Sequence, residues 1–200
     1  MAYSNFTLQE VLKKFSLKLE EGQDLFANVP PRAPSVLLRA WLEQKIPLAL
    51  ALSTEKARSE FIIAPILADI REQLGKRFSL FSGIDFTVDS SLGLNGECDF
   101  LFSKSPEQLV LLAPVISVVE AKNESFKNGL AQACAEMLAA RVFNEREGQA
   151  LEKVFGAVTT GENWQFLCLQ HSTLFVDSRR YDLDQLEQII GIFCHMLETA

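Results

Sequence analysis

Two short stretches decide the fold class: Gly96-Glu97-Cys98-Asp99-Phe100 and, about twenty residues later, Val118-Val119-Glu120-Ala121-Lys122. Each combines acidic side chains with an apolar run that is typical of a β-strand. The second belongs to an almost continuous apolar run around Pro114, which indicates strands covered on both faces. Alternate residues of a strand share a face, so Glu120 and Lys122 point the same way. If the two strands are neighbours, Asp99 and Glu120 also lie close together.

This cluster has the composition of a metal site. Two adjacent carboxylates raise each other's pKa unless a cation lies between them. Oxygen ligands of this kind suit Mg²⁺ or Mn²⁺. Such a metal polarises a phosphoryl oxygen and lowers the pKa of a bound water. Lys122 is then placed to orient the attacking water or to stabilise developing negative charge.

Two helical residues extend the cluster. Glu60 interrupts an apolar helical stripe, which is costly for a carboxylate unless it is paired or ligated. Gln132, with Glu136 four residues on, lies on the helix that follows Lys122. We expect Glu60 to be a fourth member of the site, and Gln132 to point back towards Glu120 to orient a phosphate or a water.

The remaining pattern predicts helices and strands in alternating blocks. A helix over 6–19 with Thr7 as N-cap, a proline-rich connector over 28–34 and a helix over 35–44 form an N-terminal helical extension. Ser53 caps a helix to about residue 74, with a break at Pro65. The order predicts an α/β sandwich with a central mixed sheet flanked by helices. Strands are predicted at 86–88, 98–102, 109–113, 115–119, 154–159, 165–169 and 174–176, and helices at 129–143 and from Asp182 onward.

Composition indicates one cytoplasmic domain. With 200 residues and 48% hydrophobic content, the chain can bury a sizeable core. We expect an extension over 1–50, a core over 54–176 and a C-terminal helix over 182–200. No apolar run approaches the ~20 residues of a membrane helix, and no signal peptide is visible. The four cysteines lack zinc-ligand spacing, so we expect reduced, mostly buried thiols.

The formal charge of −7 counts against nucleic-acid binding, because phosphate neutralisation normally requires a basic surface. It does not exclude a nuclease, since carboxylates at a metal site contribute negative charge that bound cations offset.

The order of Asp99, then Glu120-Ala121-Lys122, with Glu60 before and Gln132 after, resembles the PD-(D/E)XK nuclease superfamily. The resemblance covers about 54–176 and is closest to the nuclease module of type I restriction motor subunits. It implies a restriction-endonuclease-like fold and hydrolysis of DNA. It also implies metal binding by Asp99, Glu120 and Glu60, and a catalytic Lys122. Cys98 stands where the motif has proline, and no separate DNA-binding segment is visible.

Other readings of single features remain open. An isolated Glu-x-Lys is typical of solvated strand ends. The pairs Lys76-Arg77 and Arg179-Arg180 fit solvated surface charges better than phosphate contacts, and His171 and His195 are too isolated to form a catalytic pair. In the simplest interpretation the terminal amphipathic helix packs against the core, and in the alternative it forms a subunit interface.

Three functional hypotheses follow. The leading one is a Mg²⁺-dependent DNA nuclease. A catalytically silent nuclease-like fold that binds a protein partner is the second. The third is a subunit that acts only inside a larger DNA-processing assembly, and we anticipate either a homodimer or such an assembly.

Overall fold

A mixed eight-stranded β-sheet with helices on both faces forms the body of the protein. The computed structural model describes residues 2–122 and 126–200. No helix in this part of the chain is long and apolar enough to span a bilayer. The predicted α/β class, with a mixed sheet flanked by helices, is confirmed. The strands are β1 (Lys18–Gln23), β2 (Ser79–Asp85), β3 (Glu97–Ser103), β4 (Val115–Ala121), β5 (Lys153–Thr159), β6 (Asn163–Gln170), β7 (Thr173–Asp177) and β8 (Tyr181–Asp182); the helices are α1 (Leu8–Lys14), α2 (Val36–Leu52), α3 (Glu55–Arg58), α4 (Ala64–Gln73), α5 (Phe126–Arg146) and α6 (Leu186–Thr199).

The sheet order is β1-β7-β6-β5-β4-β3-β2, and β8 pairs with β6. Strands β2, β3 and β4 form an antiparallel meander. Helix α5 then crosses the sheet and brings β5 parallel to β4, which is the long connection that parallel pairing requires. The carboxyl ends of β4 and β5 therefore meet at one edge, where Glu120 lies opposite Val158.

Strand β4 lies near the middle of the sheet and is buried along its whole length, as the apolar run predicted. Helices α1 and α5 cover one face of the sheet. Helices α2, α4 and α6 cover the other, and Ile190, Phe193 and Leu197 of α6 are fully buried there. The terminal helix is thus core-facing. All four cysteines are buried free thiols, as predicted.

The N-terminal region is not entirely helical, and the predicted helix over 6–19 is too long. The Thr7 cap is confirmed, because its side chain accepts a hydrogen bond from the Glu10 N–H at 3.3 Å. Helix α1 ends at Lys14, and Ser16 follows with φ of +51°. The chain then enters β1, which pairs parallel with β7. Tertiary pairing with a sheet edge overrides the local helical pattern here.

The boundary between the next two helices lies elsewhere than predicted. Helix α2 begins after the Ser35 N-cap, close to the predicted start at 35, but continues to Leu52 instead of ending near 44. Ser53 ends α2 with φ of +52° instead of capping the next helix. Thr54 caps α3, since its hydroxyl accepts from the Ala57 N–H at 3.1 Å.

The predicted break at Pro65 is confirmed, and it ties two helices together. A π-helical turn over Ser59–Ile63 separates α3 from α4. Proline has no N–H, so the carbonyl of Phe61, four residues earlier, loses its helical donor. The Trp41 indole N–H donates to that carbonyl at 3.0 Å instead. Helix α2 is thereby attached to the interrupted helix beside it.

Two predicted strands are displaced. Strand β2 ends before the strand that was predicted at 86–88. Residues 86–88 instead extend the hairpin, where the Phe86 N–H donates to the Gly96 carbonyl at 2.8 Å. Residues 109–113 form a loop, not a strand, and Leu109 is fully exposed. Apolar composition alone could not distinguish this loop from the strand beside it.

The proline-rich connector packs against α6. The Arg32 N–H donates to the Glu187 carbonyl at 2.8 Å, and the Gln188 amide donates to the Val29 carbonyl at 2.9 Å. A Cβ on Gly191 would lie 2.3 Å from the Pro30 carbonyl oxygen. Glycine is therefore required at 191 for this contact.

We predict that Gly191→Ala destabilises the protein by about 1–3 kcal/mol, because the connector backbone must move away from α6. Urea unfolding measures this. Gly156→Ala is the comparison: its Cβ would meet the flexible Met137 side chain, with the sulfur at 2.5 Å, and we expect a smaller loss. A stabilised Gly191→Ala, as at an open helical position, would contradict the close contact.

Candidate functional site

Asp99 is fixed at the point where β3 and β4 separate. The last paired residues of these strands are Phe100 and Val119. Beyond them, the Asp99 carboxylate accepts the Ala121 N–H at 2.8 Å, so a side chain replaces the next strand partner. Asp99 therefore lies beside the strand that carries Glu120.

Glu120 is fully buried and forms an ion pair with Lys122. The Lys122 side chain is about one-fifth exposed, and its backbone N–H donates to the Thr159 carbonyl of β5 at 2.7 Å. Apart from the Lys122 ammonium, neither Glu120 oxygen has a hydrogen-bond partner among residues 2–122 and 126–200. The structure thus brings Asp99, Glu120 and Lys122 together.

Burial dominates the electrostatics of this group. Burial, and then the negative charge of Asp99, raises the pKa of Glu120 to about 8, although Lys122 acts in the opposite direction. Burial also raises the pKa of Asp99, against the Ala121 hydrogen bond and Lys122. Burial lowers the pKa of Lys122, but the Glu120 carboxylate more than offsets this, so the net shift is upward.

A second buried carboxyl group, Glu136 of α5, adjoins Glu120 and was not assigned a role from the sequence. Burial, and then the charge of Glu120, raises its pKa well above the ordinary value. The Gln132 amide donates to one Glu136 oxygen at 3.1 Å, while the other has no partner in the described chain. Gln132 therefore reaches the site through Glu136. Burial and mutual repulsion thus favour the protonated form in both members of the Glu120–Glu136 pair.

Close approach of α5 covers this buried pair. A Cβ on Gly129 would lie 2.5 Å from the Val158 Cγ1 and 3.1 Å from the Lys122 Cγ. Only glycine lets the first turns of α5 lie this near β5 and the Lys122 stem.

Glu60 does not face the core, contrary to the sequence interpretation. Its side chain is about half exposed and pairs with Lys56 at 3.1 Å. The π-helical turn over Ser59–Ile63 changes the helical register on which that interpretation depended. The charge of Glu55, and not that of Glu60, acts on both Asp99 and Lys122, raising the pKa of each. The sequence did contain one signal for Glu55, because this residue directly follows Thr54, which caps α3.

Glu55 and Glu60 line a cleft of about 260 Å³ that reaches Asp99 but neither Glu120 nor Lys122. Acidic groups outnumber basic ones along its walls. Gly83, with φ of +59°, leaves space for Glu97, whose carboxylate oxygen would lie 3.3 Å from a Cβ there. The lining residues are Glu55, Lys56, Ser59, Glu60, Ser82, Gly83, Glu97, Asp99 and Ala121.

The donor set fits an open divalent-cation site better than a closed one. In the described residues, no three His, Cys, Asp or Glu side chains form a complete metal-binding group. Mg²⁺ is usually held by one or two carboxylates, with water and substrate phosphate supplying the other ligands. Asp99 and the buried Glu120, whose oxygens lack hydrogen bonds beyond Lys122, meet that requirement.

The other charged pairs are engaged within the chain. Arg77 pairs with Glu198 at 3.1 Å, and Arg179 with Asp24 at 3.6 Å. Arg180 has no carboxylate partner among the described residues, but its guanidinium lies over the Phe126 ring at 4.8 Å.

No protein-family model matches the chain, and no curated protein or solved structure is significantly similar to it.

The buried Glu120–Glu136 pair predicts that the free energy of unfolding falls as the pH rises, which is opposite to the effect of an ion-paired carboxylate with a lowered pKa. The folded-state pKa values of Glu120 and Glu136 lie above the ordinary value, so the folded state binds protons more tightly than the unfolded state. This contribution is complete below about pH 4.5 and is lost as the pH rises towards about 8. In metal-free protein, we expect the free energy of unfolding to fall by about 2–4 kcal/mol between pH 5 and pH 8. Glu136→Gln should flatten this decline.

Urea unfolding at several pH values measures the effect. Glu145→Gln is the matched control, since it changes an exposed glutamate on the same helix and should leave the slope unchanged. Wild-type stability that rises from pH 5 to pH 8 would contradict the assignment.

Proposed function

We propose that this protein is a metal-dependent phosphodiesterase that hydrolyses nucleic acid, with DNA as the substrate. The observation that carries the proposal is the fully buried Glu120, which has Asp99 beside it and Lys122 on its carboxylate, at the carboxyl end of a central strand. We also propose a restriction-endonuclease-like fold. The order of helices, a three-strand meander, a helix and further strands supports it.

Each residue has a distinct task in this proposal. Asp99 and Glu120 would hold Mg²⁺ or Mn²⁺, with Glu55 or Glu60 adding charge from the cleft wall. A divalent cation there polarises the phosphoryl oxygen and lowers the pKa of a bound water. Lys122 leaves its ion pair with Glu120 and stabilises negative charge on the phosphate.

Electrostatics require a cation before a phosphate can enter. The cleft walls are acidic and the chain carries a net charge of −7, so metal-free protein repels a polyanion. Glu120, Val158 and Gln165 form one row across three strands, roughly 10 Å long at ~4.8 Å per strand. Arg180 donates to the Gln165 side chain at 3.2 Å, at the end of that row. We propose Arg180 as a contact for a neighbouring phosphate.

The alternative is a catalytically silent nuclease-like fold that serves as a protein-binding module or as a subunit of a DNA-processing complex. One observation favours it: the Lys122 ammonium already compensates the Glu120 carboxylate, so the fold needs no metal at this point. Binding and cleavage measurements separate the two functions.

We predict that Mg²⁺ or Mn²⁺ binds wild-type protein in calorimetry and that Asp99→Asn/Glu120→Gln abolishes this binding. Lys122→Ala should retain metal binding but lose at least about 100-fold of the cleavage rate on labelled single- and double-stranded DNA, because transition-state charge is no longer stabilised. Lys13→Ala is the control, because it removes the same single positive charge at an exposed position on α1. Wild-type protein without metal binding or cleavage would favour the silent fold, and full cleavage by Lys122→Ala would refute the assigned role.

A second prediction distinguishes the two helical glutamates. Glu55→Gln should weaken metal binding about 10-fold, as loss of a supporting carboxylate does. Glu60→Gln should change it less than about threefold, because Glu60 is half exposed and already paired with Lys56. Calorimetric titration of both variants measures the difference. A larger effect at Glu60 would restore the assignment made from the sequence.

A further inference from the structure

Helix α2 is mostly apolar, on its outer side as well as on its core-facing side. It contains three charged residues, Arg39, Glu43 and Lys45, in seventeen positions. One side packs into the core through Leu38, Leu42 and Ala49. A helix that is hydrophobic on all sides is normally covered on all sides. The outer side of α2 is instead exposed.

The exposed side forms a continuous stripe. In the part of the chain that the structure describes, nine large apolar residues are exposed, and five of them lie on α2. At roughly 100° per residue, four of the five fall within an arc of about 60°. Charged residues lie only at the borders of this face. We define the α2 stripe as Val36, Leu37, Trp41, Leu48 and Leu52, with the exposed and uncharged Ala40, Gln44, Pro47 and Ala51 beside them.

An apolar groove adjoins the stripe on the side of α4. It has a volume of about 470 Å³ and is lined mainly by Leu37, Leu38, Trp41, Pro65 and Ala68. The Trp41 indole in the groove wall is oriented by its hydrogen bond to the Phe61 carbonyl at 3.0 Å. Such a groove accepts side chains from a second helix laid along α2.

We propose that the α2 stripe is the surface through which two copies of this chain associate, with their α2 helices antiparallel. The sequence of the stripe is symmetric about its centre. Leu37 and Leu52, like Trp41 and Leu48, are equally distant from the midpoint between Gln44 and Lys45. A two-fold axis at that midpoint places leucine against leucine and tryptophan against leucine. That is the self-complementarity that an isologous interface requires.

The available area matches a dimer. The exposed fractions of the five large side chains, 88%, 80%, 39%, 44% and 51%, together equal about three whole side chains. An aromatic side chain buries roughly 150–250 Å² and a valine or leucine less, so three side chains amount to on the order of 500 Å². The small residues and the groove bring the face towards the ~800 Å² per partner of a standard interface. The largest apolar patch on a typical monomer is itself about 300–600 Å² and is often functional, so the α2 stripe has the size of an interaction surface.

Two of the border charges have partners within their own chain. Arg39 pairs with Glu187 at 3.3 Å, and the Lys45 ammonium lies 5.4 Å from the centre of the Trp41 ring. Association along the stripe therefore leaves these charges in the contacts they already have. The interface does not depend on nuclease activity.

Sedimentation velocity over about 1–200 µM protein tests the proposal. We expect a dimer with a dissociation constant on the order of 1 µM. Leu48→Glu should weaken association at least about 100-fold, because two carboxylates would enter an apolar contact. Leu109→Glu is the matched control: that leucine is fully exposed but lies outside α2, so the dimer should persist. Far-ultraviolet circular dichroism confirms that both variants fold.

Cross-linking tests the orientation. All four native cysteines are buried, so one added at the surface is the accessible thiol. With a short bismaleimide, Gln44→Cys should cross-link to itself near the axis. Leu37→Cys should cross-link efficiently only when mixed with Leu52→Cys. Self-cross-linking of Leu37→Cys would overturn the antiparallel arrangement. Wild-type protein that stays monomeric at every concentration would overturn the dimer and assign the stripe to a different partner.

Discussion

A carboxylate buried at the carboxyl end of a central strand is the constraint on which the rest of the site depends. Glu120 is fully buried, and an ionised carboxylate in such a place costs several kcal/mol unless it is compensated. The Lys122 ammonium supplies the opposite charge. The raised pKa values of Glu120 and Glu136 favour the protonated, uncharged form of each carboxyl group. Helix α5 carries Glu136, and its first turn lies close to β5 and the Lys122 stem because Gly129 has no side chain. The helix that closes the crossover is thus also the element that covers the site.

The opposite wall of the cleft comes from a peripheral part of the fold. Helix α3, which carries Glu55, follows α2 directly and is continued by the π-helical turn over Ser59–Ile63. That turn is attached to α2 by the Trp41 hydrogen bond to the carbonyl that Pro65 leaves without a donor. Any contact that holds α2 therefore also restrains the position of Glu55 over Asp99. The apolar stripe and the acidic cleft are two sides of one helical unit, although they differ completely in chemistry.

Sequence reasoning succeeded where one periodicity dominated. The buried strand β4, the alternation of Glu120 and Lys122, the Thr7 cap and the break at Pro65 all follow from local rules, and all are present. It failed where distant contacts decide. Strand β1 forms because β7 offers an edge, and the π-helical turn moves Glu60 off the face that an ideal helix would give it. Glu136 was visible as an acid among alanines, but nothing local indicated that Glu120 would lie against it.

The buried acid pair links the proposed metal to protons. When no cation is bound, the favourable state of Glu120 and Glu136 retains a proton, since burial and mutual repulsion raise the pKa of each. A divalent cation favours the ionised carboxylate and must displace that proton or move it to solvent. Cation affinity therefore increases as the pH rises through the range in which the metal-free fold loses stability. The protonated pair keeps the metal-free protein folded, and the same pair becomes the negative charge that a cation requires. In the proposed function, phosphate would enter only after a cation had reduced the negative charge of the cleft, which would reconcile an acidic cleft and a net charge of −7 with phosphate chemistry.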